Sequence, residues 1–176
     1  MKNYFVLMTL AMGVIFSSCE LDGGSNYTPT IQLGTYITNQ LGDTLKLKQT
    51  DEINTLLLDT IYVGDTIKFS MVYNSFANNL VSISIKQSAD SLTRIKYAPV
   101  DSLNMVFGSK SEYNKGNFVI EKKASIVFLP FKYVAMGKGN EAKLSILVRS
   151  DAIFDNFNGS NTAEIIFKTP IQQARK

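Results

Sequence analysis

The sequence predicts an all-β fold, an antiparallel β-sandwich of about 8–10 strands. Short segments alternate apolar and polar residues, turn residues recur about every ten positions, and no segment beyond residue 18 keeps a helical period over three turns. Alternation with a period of two gives each strand one buried face and one wet face, which is typical of antiparallel sheets. With 176 residues, 45% of them hydrophobic, the chain can form one domain with a sizeable core.

The first half contains four alternating segments. The predicted strands are Thr44–Lys48, Asn54–Val63, Thr66–Tyr73 and Leu80–Lys86. The pair Gly64-Asp65 predicts the turn between the second and third of them. Residues 39–54 show the weakest pattern of the region.

The second half continues in the same way. Its predicted strands are Leu92–Tyr97, Leu103–Phe107, Asn117–Ile120, Ala124–Phe131, Ala142–Arg149 and Thr162–Lys168. Because proline cannot donate a hydrogen bond to a sheet, we expect strands to end near Pro130 and Pro170. The Asn- and Asp-rich segment 151–161 predicts a loop before the last strand.

The first eighteen residues are typical of an export signal. Lys2 supplies a positive charge, and an apolar run of about twelve residues follows from Phe5 to Phe16. This run is too short to span a bilayer core of about 30 Å. Residues 1–18 are therefore predicted to be a signal peptide.

The only cysteine follows this signal directly. Ser17-Ser18-Cys19 resembles the lipobox of bacterial lipoproteins, in which the peptidase cuts before the cysteine and its thiol and new amine are acylated. The alternating pattern predicts a single sandwich domain over 29–172 and a tail over 173–176. The lipobox resemblance implies lipidation at Cys19 and a lipidated tether over residues 19–28. It also implies an outer-membrane location, facing either the periplasm or the exterior.

Three further segments carry a second resemblance. They are similar to strands of immunoglobulin-like lipoproteins of Bacteroidetes. The segments are Gly64 to Phe69 (GDTIKF), Leu144 to Ser150 (LSILVRS) and Ile165 to Pro170 (IIFKTP). The resemblance implies an immunoglobulin-like sandwich. The chain lacks the intersheet cystine and partner tryptophan of antibody domains, since it has one cysteine and no tryptophan.

The composition excludes several kinds of site. Without histidine there is no Ser-His-Asp or Cys-His site, and a single cysteine allows no intrachain disulfide. Carboxylates are scattered without paired spacing, so we expect no catalytic residues, no cofactor and no enzyme activity. Asp151 and Asp155 lie in an oxygen-rich loop, but an EF-hand alignment on Gly159 would put Phe154 at the first ligand position, so we expect no metal. The sequence contains no long run of basic residues, so we expect no nucleic-acid binding.

One short pattern recurs: Asp, then Ser or Thr, then an aliphatic residue. It is similar to the O-glycosylation acceptor of Bacteroidetes, whereas aspartate in a turn before a β-branched strand residue gives the same triplet without sugar. The candidate acceptors are Thr44, Thr60, Thr66, Ser91 and Ser102.

Loop aromatics are the candidate contacts for a ligand, because aromatic rings stack on sugar faces. They are Phe76, Tyr113, Phe154 and Phe157. Together these features predict a non-catalytic, membrane-anchored binding or adhesion module of the cell envelope that engages an envelope protein or a glycan. The alternative is a structural accessory subunit of an outer-membrane transport or polysaccharide-uptake complex.

Overall fold

Alternating segments of the sequence become strands along the whole described chain. The computed structural model describes residues 27–155 and 158–174. Within these ranges the strands are β1 (Thr30–Leu33), β2 (Leu47–Gln49), β3 (Thr55–Leu58), β4 (Ile61–Tyr62), β5 (Thr66–Asn74), β6 (Leu80–Gln87), β7 (Thr93–Lys96), β8 (Asn117–Val119), β9 (Ile126–Ala135), β10 (Gly139–Ser150) and β11 (Thr162–Gln172). A short α-helix, α1 (Val100–Asn104), lies between β7 and β8. The predicted all-β class is confirmed. The strand number exceeds 8–10 because β2, β4 and β8 are only two or three residues long.

The strands form two sheets. Sheet A has the order β1-β5-β9-β7, and sheet B has the order β2-β3-β11-β10-β6-β8 with β4 also paired to β11. Most pairs are antiparallel, as expected, whereas β3 and β4 run parallel to β11. The predicted strand Asn54–Val63 is split into β3 and β4 by Asp59 and Thr60, and the Asp59 carboxylate accepts a hydrogen bond from the Lys46 N–H at 2.8 Å.

One hydrophobic core lies between the sheets, which makes the fold a β-sandwich. Phe69 on β5 stacks on Phe131 of β9, with ring centroids 5.1 Å apart and planes within 4°. From the opposite sheet, Phe167 of β11 meets Phe69 edge-on at 5.2 Å. Inward-facing residues of both sheets are therefore in direct contact.

The segment 103–107, predicted as a strand, instead forms the end of helix α1 and the turn after it. Leu103 and Phe107 are four residues apart and both buried, a spacing that fits one face of a helical turn rather than alternation. The Leu103 N–H donates to the Pro99 carbonyl and the Phe107 N–H donates to the Leu103 carbonyl. Pro99 favours this start, since its fixed φ suits the first turn of a helix and its missing N–H costs nothing there.

Two prolines that we expected to end strands lie within strands instead. Pro130 is opposite Ser70 on β5, and β7 reaches β9 only at Lys132, so the missing N–H of Pro130 disrupts no pairing with β7. Pro170 lies at a register shift, because Ile171 and Thr169 pair with β10 while Pro170 itself has no aligned partner there. Proline is tolerated in sheets at such irregular positions.

Several predictions concern residues outside the described ranges: the signal peptide 1–18, lipidation at Cys19, most of the tether 19–28 and the contact residue Phe157. Within the described ranges, no helix has the length and apolar character that crossing a membrane requires.

Candidate functional site

A cleft opens at one side of the sandwich, where neither sheet edge is fully covered. Strand β6 pairs with β10 on one edge, and on the other edge β8 pairs only with Ser82–Ser84. On that second edge, within the described chain, the end of β6 from Ile85 to Gln87 borders the cleft. Strand β7 forms the facing edge of sheet A. The space between these edges is about 740 Å³, and we call it the β6–β7 cleft. The residues that line it are Ile85, Lys86, Gln87, Asp90, Thr93, Arg94, Ile95, Tyr97, Ala98, Val100, Leu103, Tyr113, Asn114, Lys115 and Gly116.

Two tyrosine rings contribute to the lining of the cleft. Tyr97, just after β7, packs edge-on against Phe118 of β8 with centroids 4.9 Å apart. Tyr113 begins a short 3-10 turn and donates its hydroxyl hydrogen to Asn104 Oδ1 at 2.8 Å. The ring of Tyr113 also packs 5.6 Å from Phe118. Both tyrosines are therefore held in place by the core beneath the cleft.

The lining is polar, with three cations and one carboxylate. Lys115 is paired with Glu112 at 2.6 Å, and this hydrogen bond and charge hold the pKa of the Glu112 carboxyl below its usual value. Lys86 and Arg94 have no carboxylate within 4.0 Å in the described part of the chain. Asp90 accepts a hydrogen bond from the Gln87 side-chain amide. The cleft thus offers free donors together with acceptors.

Gly116 fixes the shape of the part of the β6–β7 cleft that is formed by Tyr113–Gly116, which we call the upper wall. Its φ of 70° lies in the left-handed region, and it ends the 3-10 turn Tyr113–Lys115. A Cβ at this position would lie 2.0 Å from the Ile85 carbonyl oxygen, and the Ile85 N–H donates to the Gly116 carbonyl at 2.8 Å. Only glycine combines this φ with such a close approach of two backbones.

Three tyrosyl hydroxyls are buried without a hydrogen-bond partner among the described residues, those of Tyr73 on β5, Tyr97 at the cleft and Tyr133 on β9. Burial raises the pKa of the Tyr73 and Tyr97 phenols above the usual value, and for Tyr73 the nearby Tyr97 raises the pKa further. In an unfolded chain these two phenols ionise near pH 10, whereas in the folded chain they stay protonated above that pH.

These raised pKa values predict alkaline destabilisation. The stability that neutral Tyr73 and Tyr97 provide is complete below about pH 10 and is lost as the pH rises above it, at about 1.4 kcal/mol per pH unit for each tyrosine. We expect urea unfolding between pH 9 and 12 to show a shallower fall of the unfolding free energy for Tyr73→Phe/Tyr97→Phe than for the wild type. Parallel curves would contradict this assignment.

The structure brings one predicted contact residue, Tyr113, into the β6–β7 cleft. Phe76 lies in the β5–β6 turn at one end of the sandwich, 45% exposed and with its ring 5.6 Å from that of Tyr27. Phe154 lies in the β10–β11 loop at the same end, where its ring packs over Gly159. The sequence reasoning missed Lys86, Arg94 and Asn114, because no local pattern joins residues from β6, β7 and a distant turn.

The acceptor-like triplets lie in turns and at strand starts, and glycosylation stays a prediction. Thr44, Thr60, Ser91 and Ser102 are exposed, whereas Thr66 is half-buried. Two of the aspartates accept hydrogen bonds from the backbone: Asp65 from the Tyr62 N–H at 2.9 Å within a turn, and Asp59 from the Lys46 N–H at 2.8 Å just before β2. Such contacts explain these aspartates without a sugar.

The β10–β11 loop shows a structural use for its first carboxylate. Asp151 accepts hydrogen bonds from the Asn79 N–H at 2.7 Å and from its side-chain amide at 2.8 Å, which joins this loop to the β5–β6 turn. Within residues 27–155 and 158–174, no group of three or more Asp, Glu, His or Cys side chains could hold a metal ion.

Comparisons with known proteins give only distant similarities. No protein-family model matches the chain, and no curated protein matches it. A family 123 glycoside hydrolase from Clostridium perfringens shares 13% identity over 84% of this chain and 27% of its own, with a TM-score of 0.44. The secreted serine protease VesC from Vibrio cholerae shares 10% identity over 75% of this chain and 24% of its own, with a TM-score of 0.40. A chain of the CaDoc0917–CaCohA2 complex shares 14% identity over 67% of this chain and 99% of its own, with a TM-score of 0.36. The chain spans about a quarter of the length of the first two structures. Similarity at this level does not indicate a shared function.

Proposed function

We propose that this protein is a non-catalytic binding module, anchored through a lipid at Cys19, whose β6–β7 cleft binds a saccharide of the cell envelope or its surroundings. The observation that supports the site most strongly is the cleft itself. Its volume of about 740 Å³ falls within the usual range of ligand pockets. Two of its walls are the strand edges of β6 and β7, and sites built on strands favour a preformed geometry.

The chemistry of the lining suits a saccharide. Sugar hydroxyls both donate and accept hydrogen bonds, and the cleft presents the donors Lys86 and Arg94 beside the acceptor Asp90 and the amide of Asn114. Tyr97 and Tyr113 add aromatic surface, against which the C–H faces of sugars pack. Because one carboxylate lines the cleft and glycoside hydrolysis uses two, this lining favours binding over hydrolysis.

A glycan array tests this proposal. The full chain, purified in nonionic detergent, is applied to bacterial and host oligosaccharides, and we expect binding to a related set of them. Lys86→Gln/Asn114→Ala should weaken that binding at least tenfold, about 1.4 kcal/mol, because it removes one charged and one neutral hydrogen-bonding group. Lys48→Gln/Asn140→Ala makes the same chemical change at exposed positions off the cleft, and should stay within twofold of the wild type.

The array also separates the two functions expected from the sequence. A silent array, or equal loss of binding in the two double variants, would overturn the cleft as a saccharide site. Silence together with stoichiometric co-purification of envelope proteins would favour the structural accessory subunit instead.

A further inference from the structure

The outer face of sheet A carries positive charges without acidic neighbours. Lys68 on β5, Lys132 on β9 and Lys96 on β7 are directly opposite one another, so they form a row across three strands. All three side chains are exposed, and strands β1, β5, β7 and β9 contain no Asp or Glu. Like charges placed opposite each other in a sheet are destabilising, so the lysine row lowers the stability of the folded chain.

On sheet B, two lysines form ion pairs with carboxylates. Lys168 on β11 pairs with Glu52 and with Glu141, and Lys143 pairs with Glu141 at 3.0 Å. None of the three lysines of the sheet A row has a carboxylate within 4.0 Å among the described residues. Within the described ranges, sheet B also has cations without a carboxylate partner, Lys48, Lys86 and Arg149, but its strands contain the carboxylates Glu141 and Glu164, whereas the strands of sheet A contain none.

Exposed apolar side chains lie at one end of the same face. Ile126 and Phe128 point outward from β9 and are 60% and 54% exposed. Tyr27 and Phe76 pack together with ring centroids 5.6 Å apart. The turn that holds Phe76 lies at the start of β9, because the Ser75 N–H donates a hydrogen bond to the Ser125 carbonyl. We call these four residues, Tyr27, Phe76, Ile126 and Phe128, the apolar corner. Phe76 is 45% exposed, and its φ of 59° is unusual for a bulky residue.

We propose that the outer face of sheet A lies against an anionic lipid membrane, with the apolar corner in the headgroup region and the lysine row on lipid phosphates. Lysines beside an anionic surface are attracted to it, and aromatic side chains favour the membrane–water interface. The described chain begins at Tyr27, within the apolar corner. Cys19 is eight residues earlier, so an acyl anchor there lies at most about 28 Å away along the chain. This proposal rests on the anchor of the proposed function but not on the cleft.

Lysine footprinting of the full chain tests the proposal. The lipidated protein is reconstituted in phosphatidylcholine vesicles with and without 30% phosphatidylglycerol, and reductive methylation by formaldehyde is read by mass spectrometry. We expect methylation at Lys68, Lys96 and Lys132 to be at least fivefold slower in the anionic vesicles, with recovery in 0.5 M salt. Lys46, Lys48 and Lys110 are exposed elsewhere and should change less than twofold. Phe128→Ser should reduce the protection of the row, since it removes an apolar contact without touching the core.

Each contrary outcome has a distinct meaning. If the chain does not float with vesicles, the anchor at Cys19 fails and the membrane proposal falls with it. If the chain floats but the lysine row is methylated as fast as the control lysines, the face is free for a protein partner. That result overturns membrane docking and leaves the anchor and the cleft standing.

Discussion

Replacing Phe69 with alanine should lower the free energy of unfolding by about 3–5 kcal/mol, the largest single effect expected in this protein. Phe69 is 1% exposed and joins the two sheets, since it stacks on Phe131 and meets Phe167 edge-on. Truncation removes these contacts and leaves a cavity in a closely packed core. Urea unfolding at pH 7 measures the change.

The matched control is Phe128→Ala. Phe128 is on β9, on the outer side of the same sheet, and is 54% exposed, so its truncation should cost less than about 1 kcal/mol. Similar losses in the two variants would mean that the core is not organised around the contact between β5 and β11.

Gly116→Ala should destabilise the protein by about 2–4 kcal/mol. The new Cβ would lie 2.0 Å from the Ile85 carbonyl oxygen, so the 3-10 turn must move away from β6, and alanine also resists the φ of 70°. Urea unfolding gives the stability loss. The same variant should lose saccharide binding, because this turn forms the upper wall of the β6–β7 cleft.

Gly42→Ala separates the two costs. Gly42 has a φ of 91°, but no atom lies within 4 Å of its Cβ position, so alanine there should cost only about 1 kcal/mol. If Gly116→Ala cost no more than Gly42→Ala, the close approach of Gly116 to Ile85 would have no energetic consequence.

Alternation predicted the fold well wherever a strand has one wet face. The segments that became β5, β6 and β10 alternate clearly, and the structure places them within about two residues of the predicted bounds at most ends. Strand β1 was missed because it has only four residues and a weak pattern. The parallel pairing of β3 and β4 with β11 depends on contacts between distant segments, which alternation does not report.

The errors have specific physical causes. Leu103 and Phe107 were assigned to a strand because both are apolar, whereas their spacing of four residues and the preceding Pro99 favour a helical turn. Pro130 and Pro170 were expected to end strands, although a proline N that faces a gap in the ladder disrupts nothing.

The candidate sites were less predictable than the fold. Tyr113 could be named from the sequence because it is an aromatic residue in a loop, but the cleft depends on β8 covering only part of β6. The lysine row likewise arises from register, since Lys68, Lys96 and Lys132 are far apart in sequence and meet only when β5, β9 and β7 pair.

The central claim is that the β6–β7 cleft is the ligand site, and amide NMR tests it most directly. The isotope-labelled full chain in detergent is titrated with the oligosaccharide that gives the strongest array signal. We expect saturable shifts at the amides of Ile85–Gln87, Tyr97 and Lys115, with little change at Phe76 and Phe154 at the end of the sandwich. Shifts confined to Phe76 and Phe154, or no oligosaccharide that binds, would contradict the claim.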